Sequence, residues 1–227
     1  FSSDYEDLAF TRAGECDAVA AATTPAGASL VDVPAGPAIA LDIRYAGRNN
    51  FTGGPVAGYE APRCWLKASA AVALDRVAEA LRPRGLRLHV FDCYRPARAV
   101  ANFMRWAAAP ENAATRAKWH PNLPKKALVP DYIADVSGHS RGATLDLTLE
   151  RCDGDQCAAL DMGTPFDLFD PAANTDSPQA SAGQKANRQL LKEAMAAEGF
   201  ENYDKEWWHY TWEPAAVARI RYDVPIR

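Results

Sequence analysis

The alternation of apolar and polar residues is clearest between residues 143 and 150, where the chain reads ATLDLTLE. A period of two predicts a strand with one apolar and one polar face. Here the leucines share one face, and the other face carries Thr144, Asp146 and Thr148. Two further runs, IALDIRY over residues 39–45 and LRLHVFD over residues 86–92, predict strands in the same way.

Apolar residues at helical spacing predict three helices, over residues 62–81, from Arg95 to Trp106, and over residues 184–199. The aromatic run WWHYTW, residues 207–212, predicts a buried strand. Helices and strands are mixed without a repeating βαβ unit. We therefore expect a single α+β domain with a mainly antiparallel central sheet flanked by helices.

Three stretches interrupt this pattern. Residues 1–28 include AVAAATTPAGAS, which is small and unpatterned, and we predict an N-terminal extension there, followed by one domain over residues 29–227. The segment GRNNFTGGPVAGYE is dense in glycine and asparagine and predicts a loop within residues 46–61. Residues 120–136 hold three prolines and predict a long surface excursion. The two inner segments are candidates to narrow a binding site.

Composition and charge exclude several function classes. The 227 residues carry 25 Lys+Arg and 29 Asp+Glu, a net charge of −4, without the basic cluster that follows a phosphate backbone, so we expect no nucleic-acid partner. No run approaches the roughly 18 uncharged apolar residues of a transmembrane helix, and we expect no membrane span. The oligomeric state stays open.

The five cysteines bear on covalent structure and location. Cys152 and Cys157 flank DGDQ, a polar turn between apolar runs, and we expect a disulfide that closes a hairpin. The other three, Cys16, Cys64 and Cys93, are enough for one more bridge and one free thiol. The cysteines and the first residue, which is not Met, favour a bacterial periplasmic or secreted protein, with the cytoplasm as the alternative.

Four histidines are present, and we interpret His89 and His120 as structural. His139 lies in a glycine-rich turn, and Asp146 follows it on the polar face of a strand. Taken alone, this segment is better explained by a solvated carboxylate at Asp146 than by a metal ligand. An imidazole and a carboxylate are, however, half of a catalytic zinc site, which has three protein ligands and an open position.

The segment EWWH, Glu206 to His209, offers a third ligand and a carboxylate. His209 would complete the ligand set, and Glu206 would take a proton from metal-activated water. Strict alternation puts these two side chains on opposite faces of a strand, so this interpretation requires a bend at Glu206. The alternative is that the tryptophans are core and the histidine is structural.

Together these residues resemble a known family, the VanX-type zinc D-alanyl-D-alanine dipeptidases of the hedgehog/DD-peptidase-like superfamily. The pattern S-x-H-x-x-G-x-x-x-D from Ser137 to Asp146 is followed by E-x-W-H from Glu206 to His209. Other matching motifs, from about residue 39 onward, are NNFTGGPVAGYE, DCYRP, FMRWAAAPEN, DMGTPFDLFD and EWWHY. Departures include Cys93 where glycine is familiar, and none of them removes a catalytic group.

The resemblance implies a set of roles at numbered positions. It implies one Zn²⁺ per chain held by His139, Asp146 and His209. It further implies Glu206 as general base and Arg95 as the group that faces the substrate carbonyl. For binding of a small dipeptide, it implies an ammonium-binding carboxylate and two residues near the dipeptide, namely Asp167, Ser137 and Tyr45. The expected reaction is zinc-dependent hydrolysis of D-Ala-D-Ala to two D-alanines.

Several alternatives stay open from the sequence. A D,D- or L,D-carboxypeptidase or endopeptidase on cell-wall peptides would share the zinc pattern but needs an open groove. A non-catalytic zinc-containing binding module would share the fold, although Glu206 and Arg95 argue against it. An α+β domain with purely structural histidines is a third possibility. Glycopeptide resistance and recycling of dipeptide as a nutrient are both compatible purposes.

Overall fold

The computed structural model describes residues 22–23, 29–212 and 220–227. The helices of these segments are α1 (Ala68–Leu81), α2 (Ala97–Ala108), α3 (Ala113–Trp119) and α4 (Ala182–Ala196). The strands are β1 (Ala22–Thr23), β2 (Ser29–Val33), β3 (Ile39–Leu41), β4 (Cys64–Lys67), β5 (Leu86–Asp92), β6 (Thr144–Asp153), β7 (Gln156–Ala159), β8 (Phe200–Asn202) and β9 (His209–Trp212). The predicted extension lies outside the described residues except for β1, and so does Cys16.

The main sheet is mixed, which corrects the expectation of a mainly antiparallel one. Its order is β3-β5-β6-β9-β8, with β7 also paired to β6. The edge strand β3 runs parallel to β5, whereas the other pairings are antiparallel. A parallel pair needs a long crossover, and β4 and α1 lie in the chain between β3 and β5. Alternation along a strand predicts its faces but carries no information on the direction of its neighbour.

The predicted helix over residues 62–81 is wrong at its beginning. Residues 64–67 form β4, which pairs with β2, and the helix begins at Ala68. Cys64, Trp65 and Leu66 are all buried, because β4 is covered on both faces. Three consecutive buried side chains fit a strand between two layers better than one face of a helix. Together β1, β2 and β4 form a second, smaller sheet.

The other predicted elements are present, with shifted ends. The strand over residues 86–92 has the predicted bounds, and the strand predicted over residues 143–150 covers residues 144–153. The run predicted over residues 39–45 is a strand only to Leu41 and then a 3-10 turn. The predicted strand over residues 207–212 begins at His209, because both tryptophans lie in the preceding turn.

Both faces of the central strands are buried. The leucines of β5 and β6 pack into the main hydrophobic core, as predicted. The polar face is also covered: Asp146, Thr148 and Glu150 are 2%, 4% and 7% exposed. Part of the cover is Phe166, whose ring stacks on Phe91 at 4.6 Å between centroids. The interpretation of Asp146 as a solvated carboxylate is therefore wrong, because its side chain lies in a low-dielectric environment.

The two inner loop segments also contribute buried side chains to the domain. Phe51 and Tyr59 of the first segment are buried, as are Leu128 and Ile133 of the second. Residues 120–136 thus pack onto the domain in addition to crossing its surface. None of the helices in the described segments has the length and apolar character needed to cross a membrane.

Two disulfides link the described residues. Cys152–Cys157 joins β6 to β7 across a tight turn, which confirms the predicted hairpin bridge. Cys64–Cys93 joins β4 to the residue that follows β5. The second bridge forms between two of the three cysteines that the sequence left unassigned.

Candidate metal centre and active site

The predicted site residues converge where β5, β6 and β9 lie side by side. Asp146 on β6 is directly opposite His209 on β9 and Asp92 on β5. His139 comes from the 3-10 turn Gly138–Arg141 just before β6. Gly142 ends this turn with φ +75°, and a Cβ there would lie 2.5 Å from the Leu30 side chain, so only glycine allows this reversal.

Three potential ligand atoms face one point. His139 Nε2 lies 3.3 Å from His209 Nδ1 and 3.4 Å from Asp146 Oδ1. The His209 and Asp146 atoms are 3.0 Å apart. A tetrahedral zinc ion with bonds of about 2.0–2.1 Å separates its ligand atoms by about 3.3 Å. The spacing and the donor types therefore fit such an ion. In the described part of the chain, this group alone has metal-ligand geometry.

Hydrogen bonding fixes the tautomer of His139. Its Nδ1 lies 2.7 Å from the Cys93 carbonyl oxygen, which can only accept, so Nδ1 carries the proton. The lone pair of Nε2 is then directed at the ligand cluster, the group of candidate metal ligands formed by His139, Asp146 and His209. Desolvation lowers the pKa of His209, which favours its neutral ring. Neutral imidazole is the form that binds metal ions.

Asp146 is held in its ionised form. Burial alone would raise the pKa of this carboxyl, but its interactions with His139 and His209 outweigh burial and lower it. Its second oxygen, Oδ2, is 3.5 Å from the Arg95 guanidinium. An ionised carboxylate with one oxygen directed at the two imidazoles is the form expected of a metal ligand.

Glu206 lies in the turn before β9 rather than in the strand. This is the bend that the sequence interpretation required, and it brings Glu206 Oε2 within 3.5 Å of His209 Nδ1. Burial raises the pKa of Glu206 well above its ordinary value, and the charges of Asp146 and Asp167 raise it further. The site thus holds a carboxyl with a high proton affinity beside the ligand cluster.

Arg95 is buried next to the candidate ligands and is held from two sides. Its Nε and a terminal nitrogen contact Asp92 Oδ2 at 3.0 and 2.9 Å. Its guanidinium carbon lies 5.1 Å and 5.0 Å from the ring centroids of Tyr45 and Phe103. The carboxylate balances the charge, and the aromatic faces restrict the orientation of the planar group.

Asp167 and Tyr45 form a second polar pair in the site. The Tyr45 hydroxyl donates to both Asp167 oxygens at 3.0 and 3.1 Å. Asp167 has φ +64°, a left-handed conformation that is uncommon outside glycine, and its side chain is buried. Burial, with the charge of Asp146, raises the pKa of Asp167 well above its ordinary value. Among the described residues, no cation forms an ion pair with this carboxyl, since Arg95 contacts other carboxylates.

A cavity of about 250 Å³ connects these groups. Seven of the eight predicted site residues line it, namely Tyr45, Arg95, Ser137, Asp146, Asp167, Glu206 and His209. Ser137 also caps the turn of His139, because its Oγ accepts a hydrogen bond from the His139 amide at 3.3 Å. Ligand pockets for drug-sized molecules measure about 300–1,000 Å³, so this cavity suits a smaller molecule.

Sequence reasoning missed several residues of the site. Aromatic side chains form much of the cavity wall, namely Phe51, Phe103, Tyr132, Phe169, Tyr203 and Trp208. Asp92 and Cys93 hold Arg95 and His139, although only their motif was noticed. Long-range packing brings these residues together, and their spacing in the chain offered no signal for it.

The two remaining histidines make ordinary structural contacts. His89 Nδ1 lies 2.6 Å from Glu150 Oε1, and His120 Nδ1 lies 2.8 Å from the Leu123 carbonyl oxygen. Neither belongs to the metal-ligand group of the described residues. Their predicted structural character is consistent with these contacts.

Comparison with known proteins identifies sequences that are similar over most of this chain. The model of the D-ala-D-ala dipeptidase family, Peptidase_M15, matches residues 28–226. A D-alanyl-D-alanine dipeptidase of Streptomyces coelicolor is 41% identical, with 83% of this chain and 93% of that protein covered. Those of Enterococcus faecium and Escherichia coli are 37% and 33% identical; 82% and 79% of this chain and 92% and 82% of those proteins are covered.

Among solved structures, the chain is similar to a vancomycin-resistance D,D-pentapeptidase VanY, a mutant from a VanB-type resistance cassette in complex with Zn(II). The TM-score is 0.41 at 19% identity, over 68% of this chain and 78% of that one. The family match extends over most of the chain and includes every predicted site residue. This chain belongs to the D-ala-D-ala dipeptidase family of peptidases.

Proposed function

We propose that this protein hydrolyses D-Ala-D-Ala to two D-alanines with one zinc ion held by His139, Asp146 and His209. The observation that carries the proposal is the tetrahedral spacing of these three ligand atoms beside a buried glutamate in a small cavity. Family membership supports the same reaction, since relatives of similar length bear the name D-alanyl-D-alanine dipeptidase.

A zinc ion at this position would act as a Lewis acid on the scissile carbonyl and lower the pKa of a water molecule. Glu206 is the proposed general base. Its raised pKa brings the carboxyl closer to the working pH, where it can accept a proton from water and return it to the leaving amine. The turn at residues 203–208 holds this carboxyl against the ligand cluster without making it a ligand.

Arg95 is proposed to stabilise the negative charge that develops on the carbonyl oxygen. Its guanidinium is fixed before substrate binds, because Asp92 holds one edge and aromatic rings cover its face. A donor that is already oriented costs no reorganisation when charge develops. Asp92 therefore acts through Arg95, as a positioning residue.

Asp167 is proposed to bind the free ammonium of the dipeptide. It is a buried carboxyl in the cavity, and the Tyr45 hydroxyl orients both its oxygens. An ammonium group would supply a counter-charge that no residue of the described segments supplies to this carboxyl at close range. Ser137 lines the same cavity beside the ligand-bearing turn and is proposed to lie near the bound dipeptide.

The loop of residues 120–136 supports a preference for short substrates. Residues 130–134 line the cavity, and two contacts attach them to the turn that carries Glu206. The Tyr203 hydroxyl donates to the Asp131 carbonyl oxygen at 2.9 Å, and Lys205 Nζ lies 2.6 Å from Asp131 Oδ2. A carboxypeptidase or endopeptidase needs space beyond the scissile residue, and this bridge occupies one side of the cavity.

The two disulfides support a location outside the cytoplasm. Cys64 and Cys93 are both buried, and Cys152 and Cys157 close a tight hairpin. Disulfides form and persist in oxidising compartments, so we propose the periplasm or the extracellular space. The curated relatives named above are bacterial.

The decisive experiment measures release of free D-alanine by zinc-loaded protein. We expect cleavage of D-Ala-D-Ala, loss of activity after chelation, and recovery with added zinc. An N-acylated peptide ending in D-Ala-D-Ala, which lacks the free ammonium, should be cleaved much more slowly. Rapid cleavage of the longer peptide would assign the protein to the carboxypeptidases. Stable zinc binding without cleavage of either substrate would favour the binding module instead.

A further inference from the structure

The carbonyl group that orients His139 belongs to a disulfide-bonded residue. Cys93 follows directly after β5, and its carbonyl oxygen accepts the 2.7 Å hydrogen bond from His139 Nδ1. Both residues are at most 1% exposed, so water does not compete for this contact. The position of one carbonyl group thus selects which imidazole nitrogen faces the ligand cluster.

Strand β4 holds this carbonyl in place. The Cys93 sulfur is bonded to Cys64 at the beginning of β4, and the Tyr94 amide donates to the Trp65 carbonyl oxygen at 2.9 Å. At the other end of β4, the Lys67 amide donates to the Gly142 carbonyl oxygen at 2.7 Å. The same strand therefore contacts both the carbonyl that orients His139 and the end of the turn that carries it.

We propose that Cys93 is a positioning residue for His139 and that the Cys64–Cys93 disulfide holds its carbonyl where the imidazole needs it. The inference rests on the proposed zinc site. Partners that hydrogen-bond a ligating histidine typically contribute 10–100-fold to metal affinity, since they fix the tautomer and the ring orientation. Without the bridge, the link from Cys93 to β4 is reduced to main-chain hydrogen bonds, and the carbonyl can shift with the end of β5.

The chain offers a matched control in its second disulfide. Cys152–Cys157 joins two residues only 5 positions apart at the end of the β6–β7 hairpin, and neither cysteine lines the cavity or belongs to the ligand cluster. Removal of either bridge deletes one disulfide and adds two alanines. The two variants therefore differ in where the cross-link lies and not in the chemistry of the substitution.

The test compares Cys64→Ala/Cys93→Ala with Cys152→Ala/Cys157→Ala. Zinc affinity is measured by competition with a chromophoric chelator, and ligand geometry by the visible absorption of the Co²⁺-loaded proteins. We expect about 10-fold or greater loss of zinc affinity and a changed Co²⁺ spectrum for the first variant. For the second variant we expect affinity within about 3-fold of the wild type and the wild-type spectrum.

Equal zinc affinities and identical Co²⁺ spectra in the two folded variants would overturn the inference. If Cys64→Ala/Cys93→Ala does not fold by circular dichroism, Cys64→Val/Cys93→Ala, which refills the volume on β4, is titrated and judged by the same criteria. Wild-type protein that binds no zinc would contradict the proposed function. Wild-type protein that binds zinc, with no difference between variants, would contradict only the role of the disulfide.

Discussion

Two polar clusters lie on the same face of β6, four residues apart, and they are built from similar side chains. Asp146 contacts His139, His209 and Arg95, whereas Glu150 contacts His89 and Arg87. Both carboxyls are buried, yet the pKa of each lies below its ordinary value, because of His139 and His209 at Asp146 and of His89 and Arg87 at Glu150. In composition, the two clusters differ by a single histidine.

The neighbouring strand is the source of that difference. At Asp146 the neighbour is β9, which contributes His209 directly opposite the carboxylate. At Glu150 the neighbour is β7, which contributes Ala159. Both Glu150 oxygens are already used, one by His89 at 2.6 Å and the other by Arg87 at 2.5 Å. At one end of β6, a histidine and an arginine thus occupy both oxygens of the carboxylate, and at the other end the same residue types belong to a candidate metal site.

The largest expected effect comes from His209, the histidine that distinguishes the two clusters, and His89 of the Glu150 cluster is its control. His209→Ala should weaken zinc binding by more than about 100-fold, because it removes a ligand and not an outer partner. The matched change His89→Ala should leave zinc affinity within about 3-fold of the wild type. Chelator competition measures both. A comparable loss in the two variants would mean that the Glu150 cluster also binds the metal.

The next comparison concerns the two buried glutamates. Glu206→Gln should retain zinc and lower turnover of D-Ala-D-Ala by about 10²–10⁴-fold, the usual contribution of a general base. Glu150→Gln should retain zinc and most of the turnover. Metal content and D-alanine release are measured on the same samples. If Glu206→Gln protein stayed active, another group would have to accept the proton.

A third comparison uses the two arginines. Arg95→Lys keeps the charge but loses the planar contact of two guanidinium nitrogens with Asp92, and should lower kcat by about 10²-fold with a smaller effect on zinc affinity. Arg87→Lys should change neither quantity by more than about 2-fold. Steady-state kinetics of the zinc-saturated proteins tests both changes. A kcat that survives Arg95→Lys would remove the guanidinium from the mechanism.

The smallest expected effect is on stability at the Glu150 end. Burial would raise the pKa of Glu150, but the hydrogen bonds from His89 and Arg87 outweigh it and lower the pKa. The ionised carboxylate therefore stabilises the fold above the ordinary glutamate pKa of about 4.3, and this contribution is lost as the pH falls through the lowered folded value. Glu150→Gln should lower the free energy of unfolding by about 1–2 kcal/mol at pH 7.

Urea unfolding across the pH range measures this dependence. The difference between Glu150→Gln and wild-type protein should shrink toward zero as the pH decreases below about 4. A difference that stays constant from neutral to acid pH would show that shape, and not charge, accounts for the loss. The experiment is carried out on metal-free protein, so that release of zinc in acid does not contribute.

Local pattern predicted a substantial part of the fold. The alternation in β5 and β6 predicted both strands and the leucine face, because a period of two follows from the pleat whatever the neighbours are. The beginning of α1 and the direction of β3 were missed, because both depend on partners distant in the chain, β2 for the first and β5 for the second. Pairing energy outweighed the local helical spacing near Trp65.

The sequence by itself determined the candidate chemistry: His139, Asp146, His209 and Glu206 were identified from residue types, spacing and resemblance. Only the tertiary structure decided that three of these side chains face one point, that the bend before β9 brings Glu206 beside them, and that the Cys93 carbonyl oxygen accepts a hydrogen bond from His139. The physical reason is that ligand geometry is fixed to a few tenths of an ångström by strand register and long-range contacts, which a linear sequence does not display.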